Sequence, residues 1–251
     1  MSKNSTAIEF ENVSMTFTIG HGRAVLRNYI TGWFGMQQSE RFYALRNVSF
    51  RLQKGESMGI IGSNGAGKST LLSLVSGIAI PDTGRVIVNG RVAALLELGA
   101  GFHPDLTGAE NLRLNASLLG ISRQRVKDLF PSIVEFSGVG DFIHEPLRTY
   151  STGMQMRLAF SVAIHMDPDI LVVDEVLAVG DEDFQSKCYE RIRNLRSAGK
   201  TLLLVSHSTS IVQTLCDRAL WIDHGELILD GRAIDTIEAY EGRPLSRTKL
   251  N

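Results

Sequence analysis

The sequence is poor in several things that would take it away from an ordinary reduced globular core. It has two cysteines, Cys188 and Cys216, among 251 residues. Two scattered thiols in helix-like segments make neither a disulfide framework nor a metal site, and they fit a reducing compartment. No apolar run reaches the roughly 18 residues that a membrane-spanning helix needs. The start, Met1-Ser2-Lys3-Asn4-Ser5, leads into a strand pattern rather than the apolar stretch of a signal segment. The chain is therefore expected to be soluble by itself and to serve a membrane only through a partner. An excess of charge of one sign is also missing. The 26 basic and 27 acidic residues leave a net charge of −1, so there is no overall field to draw nucleic acid. Internal repeats and low-complexity linkers are absent. What remains is ordinary globular composition, 43% hydrophobic and 21% charged, enough for one large domain or a core with a subdomain.

The most informative stretch that is present reads Gly62-Ser63-Asn64-Gly65-Ala66-Gly67-Lys68-Ser69, followed by Thr70. This is G-x-x-x-x-G-K-S, the phosphate-binding P-loop. Ser57–Ile61 before it reads as a short buried strand, and Thr70–Val75 after it as the first turns of a helix. The pattern thus has the strand–loop–helix setting that gives it meaning. Its glycines let several backbone N–H groups turn toward one anion, and the helix N-terminus adds partial positive charge. Lys68 can reach the β- and γ-phosphates, and the Ser69 hydroxyl can ligate Mg²⁺. The chain is expected to bind a nucleoside triphosphate.

The rest reads as an α/β core with interruptions. Ala7–Val13 alternates like an edge strand, and Val48–Leu52 like another. Between them, about residues 19–41, lies an insertion. There Leu26, Ile30 and Phe34 recur every four residues, with Trp33, Arg23 and Arg27 nearby. It reads either as a helix packed on the domain's own core or as a basic, aromatic helix at a membrane surface or a membrane partner. Arg85–Gly90 and Val92–Leu96 read as a strand pair joined by a tight turn. Thr107-Gly108-Ala109-Glu110 is a capping box, opening a helix with Leu112, Ala116 and Leu119 on one face. A second helix is expected over Arg123–Phe136, bent or broken at Pro131. Ile170–Val173 and Thr201–Val205 are continuous apolar runs, the mark of buried parallel strands. Ala219–Asp223 and Glu226–Asp230 read as a hairpin around His224-Gly225, followed by a short helix near Ile234–Tyr240 and a polar tail.

Further chemistry follows the P-loop in order. Asp174-Glu175 ends the run that starts at Ile170. In a P-loop fold an aspartate at that strand end holds Mg²⁺, directly or through water, and the next carboxylate is placed to polarise an attacking water. Ser206-His207 ends the next apolar strand, where a histidine could touch a γ-phosphate or simply be a satisfied polar residue. Ser151-Thr152-Gly153-Met154 opens a helix, either as a second anion site or as a plain N-cap.

These residues and their order resemble the nucleotide-binding domain of ABC transporters, from about Ile8 to Gly231. The resemblance implies a P-loop NTPase (RecA-like) α/β core with an antiparallel β subdomain and an inserted α-helical subdomain. The ATPase domain would cover residues 1–241, with helices over about 105–160 and a polar tail at 242–251. It implies ATP and Mg²⁺ as cofactors. Gly62–Ser69 would be the Walker A loop, Asp174 the Walker B metal ligand beside Ser69, Glu175 the catalytic carboxylate and His207 the switch histidine. Val179-Gly180-Asp181 stands at the D-loop. Ser151–Met154 stands at the signature, which in that family closes on ATP held by a second copy, so a homodimer is implied.

Three departures stand out. Tyr150, Thr152 and Met154 replace the usual signature residues, Glu97-Leu98-Gly99 stands where the Q-loop glutamine is expected, and Phe17, Phe42 and Tyr43 all compete to stack on adenine. With the insertion, these features resemble one branch, the ATPases of bacterial exporters of O-antigen, capsule and teichoic acid. Too few residues follow Gly231 for that branch's carbohydrate-binding domain, so the short form is expected. The implied function is to power export of a lipid-linked polysaccharide through two permease subunits at the cytoplasmic face of the inner membrane, with no nucleic acid involved. The alternatives are an ABC ATPase for another substrate, a soluble ABC-type ATPase outside transport, and a nucleotide-binding regulator without turnover.

Overall fold

The computed structural model describes residues 5–18, 41–95, 99, 101–118, 120–174 and 180–242. Most of the insertion, Leu119, the Glu97-Leu98 pair, Glu175, Val179 and the tail from Arg243 lie outside these described residues.

Two sheets make the framework. One is antiparallel, with order β2-β1-β4, where β1 is Thr6–Thr18, β2 is Arg41–Gln53 and β4 is Thr83–Val88. The other has six strands in the order β5-β6-β7-β3-β8-β9. It comprises β3 (Ser57–Ile61), β5 (Val92–Ala94), β6 (Ile170–Val173), β7 (Thr201–Val205), β8 (Arg218–Asp223) and β9 (Glu226–Arg232). Its strands are parallel except for the β8–β9 hairpin. β3, β6 and β7 are buried at every residue, as strands covered on both faces must be.

Two sequence expectations change here. Ala7–Val13 is not an edge strand, because β1 pairs with β2 on one side and β4 on the other. Charge pairs accompany that place. Glu9 meets Arg51 of β2 at 2.5 Å and Glu11 meets Arg85 of β4 at 2.6 Å, cross-strand pairs of opposite sign. Nor do Arg85–Gly90 and Val92–Leu96 form a hairpin. β4 joins the antiparallel sheet while β5 runs parallel to β6. The crossing is pinned on both sides: Asn89 N donates to Ala7 O at 2.8 Å, and Arg91 N to an Asp169 carboxylate oxygen at 2.8 Å.

The helices cover three cores. α1 (Lys68–Val75) lies with the antiparallel sheet and one face of the parallel sheet, where Phe10 stacks on Phe50 at 4.6 Å. The opposite face is covered by α5 (Glu182–Ser197), α6 (Thr209–Leu215), α7 (Ala233–Glu241) and one side of α4 (Thr152–His165). Cys188 and Cys216 are both free and buried there, and burial pushes both thiols up to about 12. Cys216 follows α6 in an extended conformation rather than sitting within a helix.

The third core gathers α2 (Gly108–Leu118), α3 (Arg123–Ser137) and the other side of α4. The capping box is made in full: Thr107 N donates to Glu110 at 2.8 Å, and Glu110 N to the Thr107 hydroxyl at 3.2 Å. α3 is continuous across Pro131, which is exposed, while Val126 and Ile133 are buried on either side of it. Packing of that apolar face outweighs one missing backbone bond.

Candidate functional site

The strand order decides which sequence signals meet. β3 lies beside β7, and β7 beside β6. The P-loop follows β3, His207 follows β7 and Asp174 follows β6. Three segments far apart in the chain therefore open at the carboxyl ends of three neighbouring parallel strands, where ligands bind in sheets of this kind. Asn64, Gly65, Gly67, Lys68, Ser69, Thr70, Asp174, Val205 and His207 line one cleft of about 290 Å³, completed by Phe17, Phe42 and Ala44.

The loop is shaped by its contacts. Gly67 has φ 109 at the N-terminus of α1, and a Cβ there would stand 2.3 Å from the Ala44 carbonyl oxygen. Only glycine fits such a conformation and approach. Lys68 is 7% exposed, and its ammonium donates to the Gly62 and Ser63 carbonyls at 2.7 and 2.9 Å. Burial lowers the Lys68 pKa, against the pull of the Asp174 carboxylate. Burial raises the Asp174 pKa, with Lys68 and His207 opposing. Burial and Lys68 lower the His207 pKa, with Asp174 opposing. Three titratable groups thus share one field along the cleft, as functional sites tend to arrange them. Ser69 and Asp174 present hard oxygen atoms on the same cleft, the donor chemistry that suits Mg²⁺.

The register separates the three aromatic possibilities. Phe17 pairs directly with Phe42 across β1 and β2, and both line the cleft. Tyr43 pairs with Thr16 and does not line it. Successive strand residues face opposite ways, so Phe42 and Ala44 share the cleft side. The Arg46 guanidinium lies over the Tyr43 ring, 5.1 Å from its centre. The insertion shifts the spacing and leaves Phe17, Phe42 and Tyr43 open in the sequence; the pairing register puts Phe17 and Phe42, not Tyr43, on the cleft.

Ser151–Met154 does not line this cleft. Ser151 caps α4, accepting from Met154 N at 3.2 Å, and is exposed with Thr152. Tyr150 is 6% exposed, donates to the Phe142 carbonyl and has its phenol pushed up to about 12 by burial. Further along α4, Arg157 bonds Asp181, which caps α5, and lies 5.2 Å over the Phe184 ring. α4 and the N-terminus of α5 are thereby joined.

The profile of the family described as ABC transporter matches residues 45–178. The O-antigen export system ATP-binding protein RfbB of Klebsiella pneumoniae is 47% identical over 238 residues, 93% of this chain and 97% of that protein. The chain belongs to the ABC transporter family. Its membership makes it an ATPase of the ATP-binding-cassette type. The ABC transporter protein AbcA of Aeromonas salmonicida is 50% identical over 79% of this chain, which spans 65% of that relative, just under two thirds of its length. The teichoic acids export ATP-binding protein TagH of Listeria monocytogenes is 41% identical over 96% of this chain and 71% of that protein. A solved ATP binding subunit of an ABC transporter superposes with a TM-score of 0.75, covering 94% of each chain at 22% identity. That likeness shows the ABC cassette fold. Among the described residues, no helix is long and apolar enough to cross a membrane.

Proposed function

We propose that this ABC ATPase powers export of a polysaccharide, carried on a lipid, through a separate permease at the cytoplasmic face of the inner membrane. The observation that carries the proposal is the near end-to-end match, 47% identical, to an ATP-binding protein of an O-antigen export system. The teichoic acid export relative supports polysaccharide as the broader substrate class.

In this reading the loop Gly62–Thr70 cradles the triphosphate, and Phe17 and Phe42 stack on the base. Ser69 and Asp174 would hold Mg²⁺, which would supply charge neutralisation for the triphosphate. Lys68 adds a fixed cation beside them. Glu175 orients the attacking water, and His207 meets the γ-phosphate from the end of β7. Ser151–Met154 faces the nucleotide of a second copy, so two chains complete two sites. The exposure of Ser151 and Thr152, away from their own cleft, suits that role.

The permease would dock on the α2–α3 surface. A groove of about 740 Å³ there has an apolar floor of Leu114, Ile121, Val126 and Phe130, rimmed by Arg113, Arg123 and Lys127. An acidic, apolar segment fits it. Affinity capture of the tagged protein from its host's membranes tests the whole reading. Recovery of a multi-spanning permease that lacks its own ATPase domain is the expected result. Recovery of ribosomes, DNA or soluble proteins alone would overturn it. Glu175→Gln is expected to abolish phosphate release while ATP binding stays, which would exclude a regulator without turnover.

A further inference from the structure

We infer that Gly225, in the turn between β8 and β9, is a positioning residue for nucleotide binding, because its backbone ties the base platform to the phosphate loop. The inference rests on the reading of the cleft as a nucleotide site. Gly225 N donates to the Ala66 carbonyl at 2.9 Å, and the Gly225 carbonyl accepts from Arg46 N at 2.8 Å. Ala66 belongs to the phosphate loop. Arg46 belongs to β2, whose Phe42 and Ala44 line the base side of the cleft. One residue thus bonds to both halves.

Close packing supports the same bridge. A Cβ on Gly225 would stand 2.9 Å from the Ala44 oxygen, the same oxygen that a Cβ on Gly67 would approach at 2.3 Å. The Ala44 carbonyl therefore sits between a glycine of the turn and a glycine of the loop. Gly225 has φ 79, so conformation and space both call for glycine. The Ile222 oxygen lies 2.1 Å from where a Cβ on Gly62 would be, so β8 also touches the loop at its first glycine.

The reason for such a tie is architectural. Among the described residues, the two sheets share no strand. The phosphate loop hangs from one, and both platform aromatics stand on the other. The span between base and phosphates must then be set by contacts that cross from sheet to sheet, and the turn supplies two hydrogen bonds at that point.

The test compares Mg·ATP with Mg·tripolyphosphate, which lacks base and ribose, by titration calorimetry on Gly225→Ala. Tripolyphosphate reports the loop alone, and ATP reports loop plus platform. The variant is expected to weaken ATP about ten-fold, a share of one base–aromatic stack, with tripolyphosphate changed by less than about two-fold. KM for ATP should rise more than kcat falls. Equal weakening of both ligands, or no change for ATP, overturns the inference. An unsubstituted protein that binds neither ligand would instead remove the nucleotide-site reading beneath it.

Because alanine strains the turn and can cost folding, the unsubstituted protein gives a second measurement. Hydrogen exchange at the Arg46 and Gly225 amides should slow more with ATP than with tripolyphosphate. Equal slowing by the two ligands would overturn the bridge.

Discussion

A lysine that is nearly enclosed and bonded to two carbonyls of its own loop cannot sweep through solvent. The ammonium of Lys68 is held by its own loop, and a fixed cation of this kind needs little reorganisation in a reaction. Lys68→Met is expected to lower phosphate release by about 10²-fold or more, measured under saturating ATP. The aromatics give a second prediction at this scale. Stacking on one ring is worth about 1–3 kcal/mol, so Phe42→Ala should weaken ATP by that order. Tyr43→Ala, whose ring is paired with Arg46 away from the cleft, should change affinity by less than about two-fold. Equal losses in the two variants would return the choice of platform to open ground.

Elements in this protein depend on pairs of residues that meet across them. Tyr150 ends the approach to α4, and its hydroxyl lies where α2 begins: a Cβ on Gly108 would stand 2.2 Å from it and 3.1 Å from the Ile143 side chain. The bulky residue before α4 is accommodated by the missing side chain at 108. Gly108→Ala is expected to destabilise by about 1–3 kcal/mol through overpacking. Tyr150→Phe should cost about 0.5–1.5 kcal/mol by removing one hydrogen bond to the Phe142 carbonyl, which keeps Glu145 N as a donor. Combined, the two changes should cost less than their sum, since the phenylalanine gives up the atom that the alanine strikes. Denaturant midpoints of the four proteins check this; strict additivity would show that the pair is not coupled.

The same elements show what the sequence could reveal. The P-loop strand and helix, the capping box and the buried parallel strands were legible because each is written within a few residues. β1 as a middle strand and the parting of β4 from β5 were not, since a period of two tells which face is buried but not which strand lies alongside. The contact of Gly225 with Ala66 was invisible for a related reason. It joins residues that only the sheet order brings together, and no local pattern marks it. Glu175 lies outside the described residues.

For the whole molecule, acid is the informative stress. His165 ends α4 with its ring 5.2 Å from Phe136 and its Nδ1 donating to the Ser161 carbonyl at 2.8 Å. Burial lowers its pKa below the ordinary 6.5, with Arg191 of α5 acting in the same direction and Ser161 opposing. The sign follows directly. The unfolded chain takes up the proton first, so the contribution is fully present above 6.5 and is lost as the pH falls below it. His165→Gln should flatten the loss of stability below 6.5, read from thermal midpoints across pH. An unchanged slope would assign the acid sensitivity to other groups.

The pairing of β1 with β2 closes on Thr18 opposite Arg41. Cross-strand neighbours stand about 5 Å apart, so the two ends of residues 19–40 leave and return at adjacent points of the sheet. Closing a loop costs little more when it is lengthened, about 0.6 kcal/mol for each doubling. The sheet therefore offers a graft point: chain can be added, shortened or exchanged there without altering the register beneath it. Because that point adjoins the Phe17–Phe42 pair, exchange there refits the border of the cleft while the strands beneath keep their pairing.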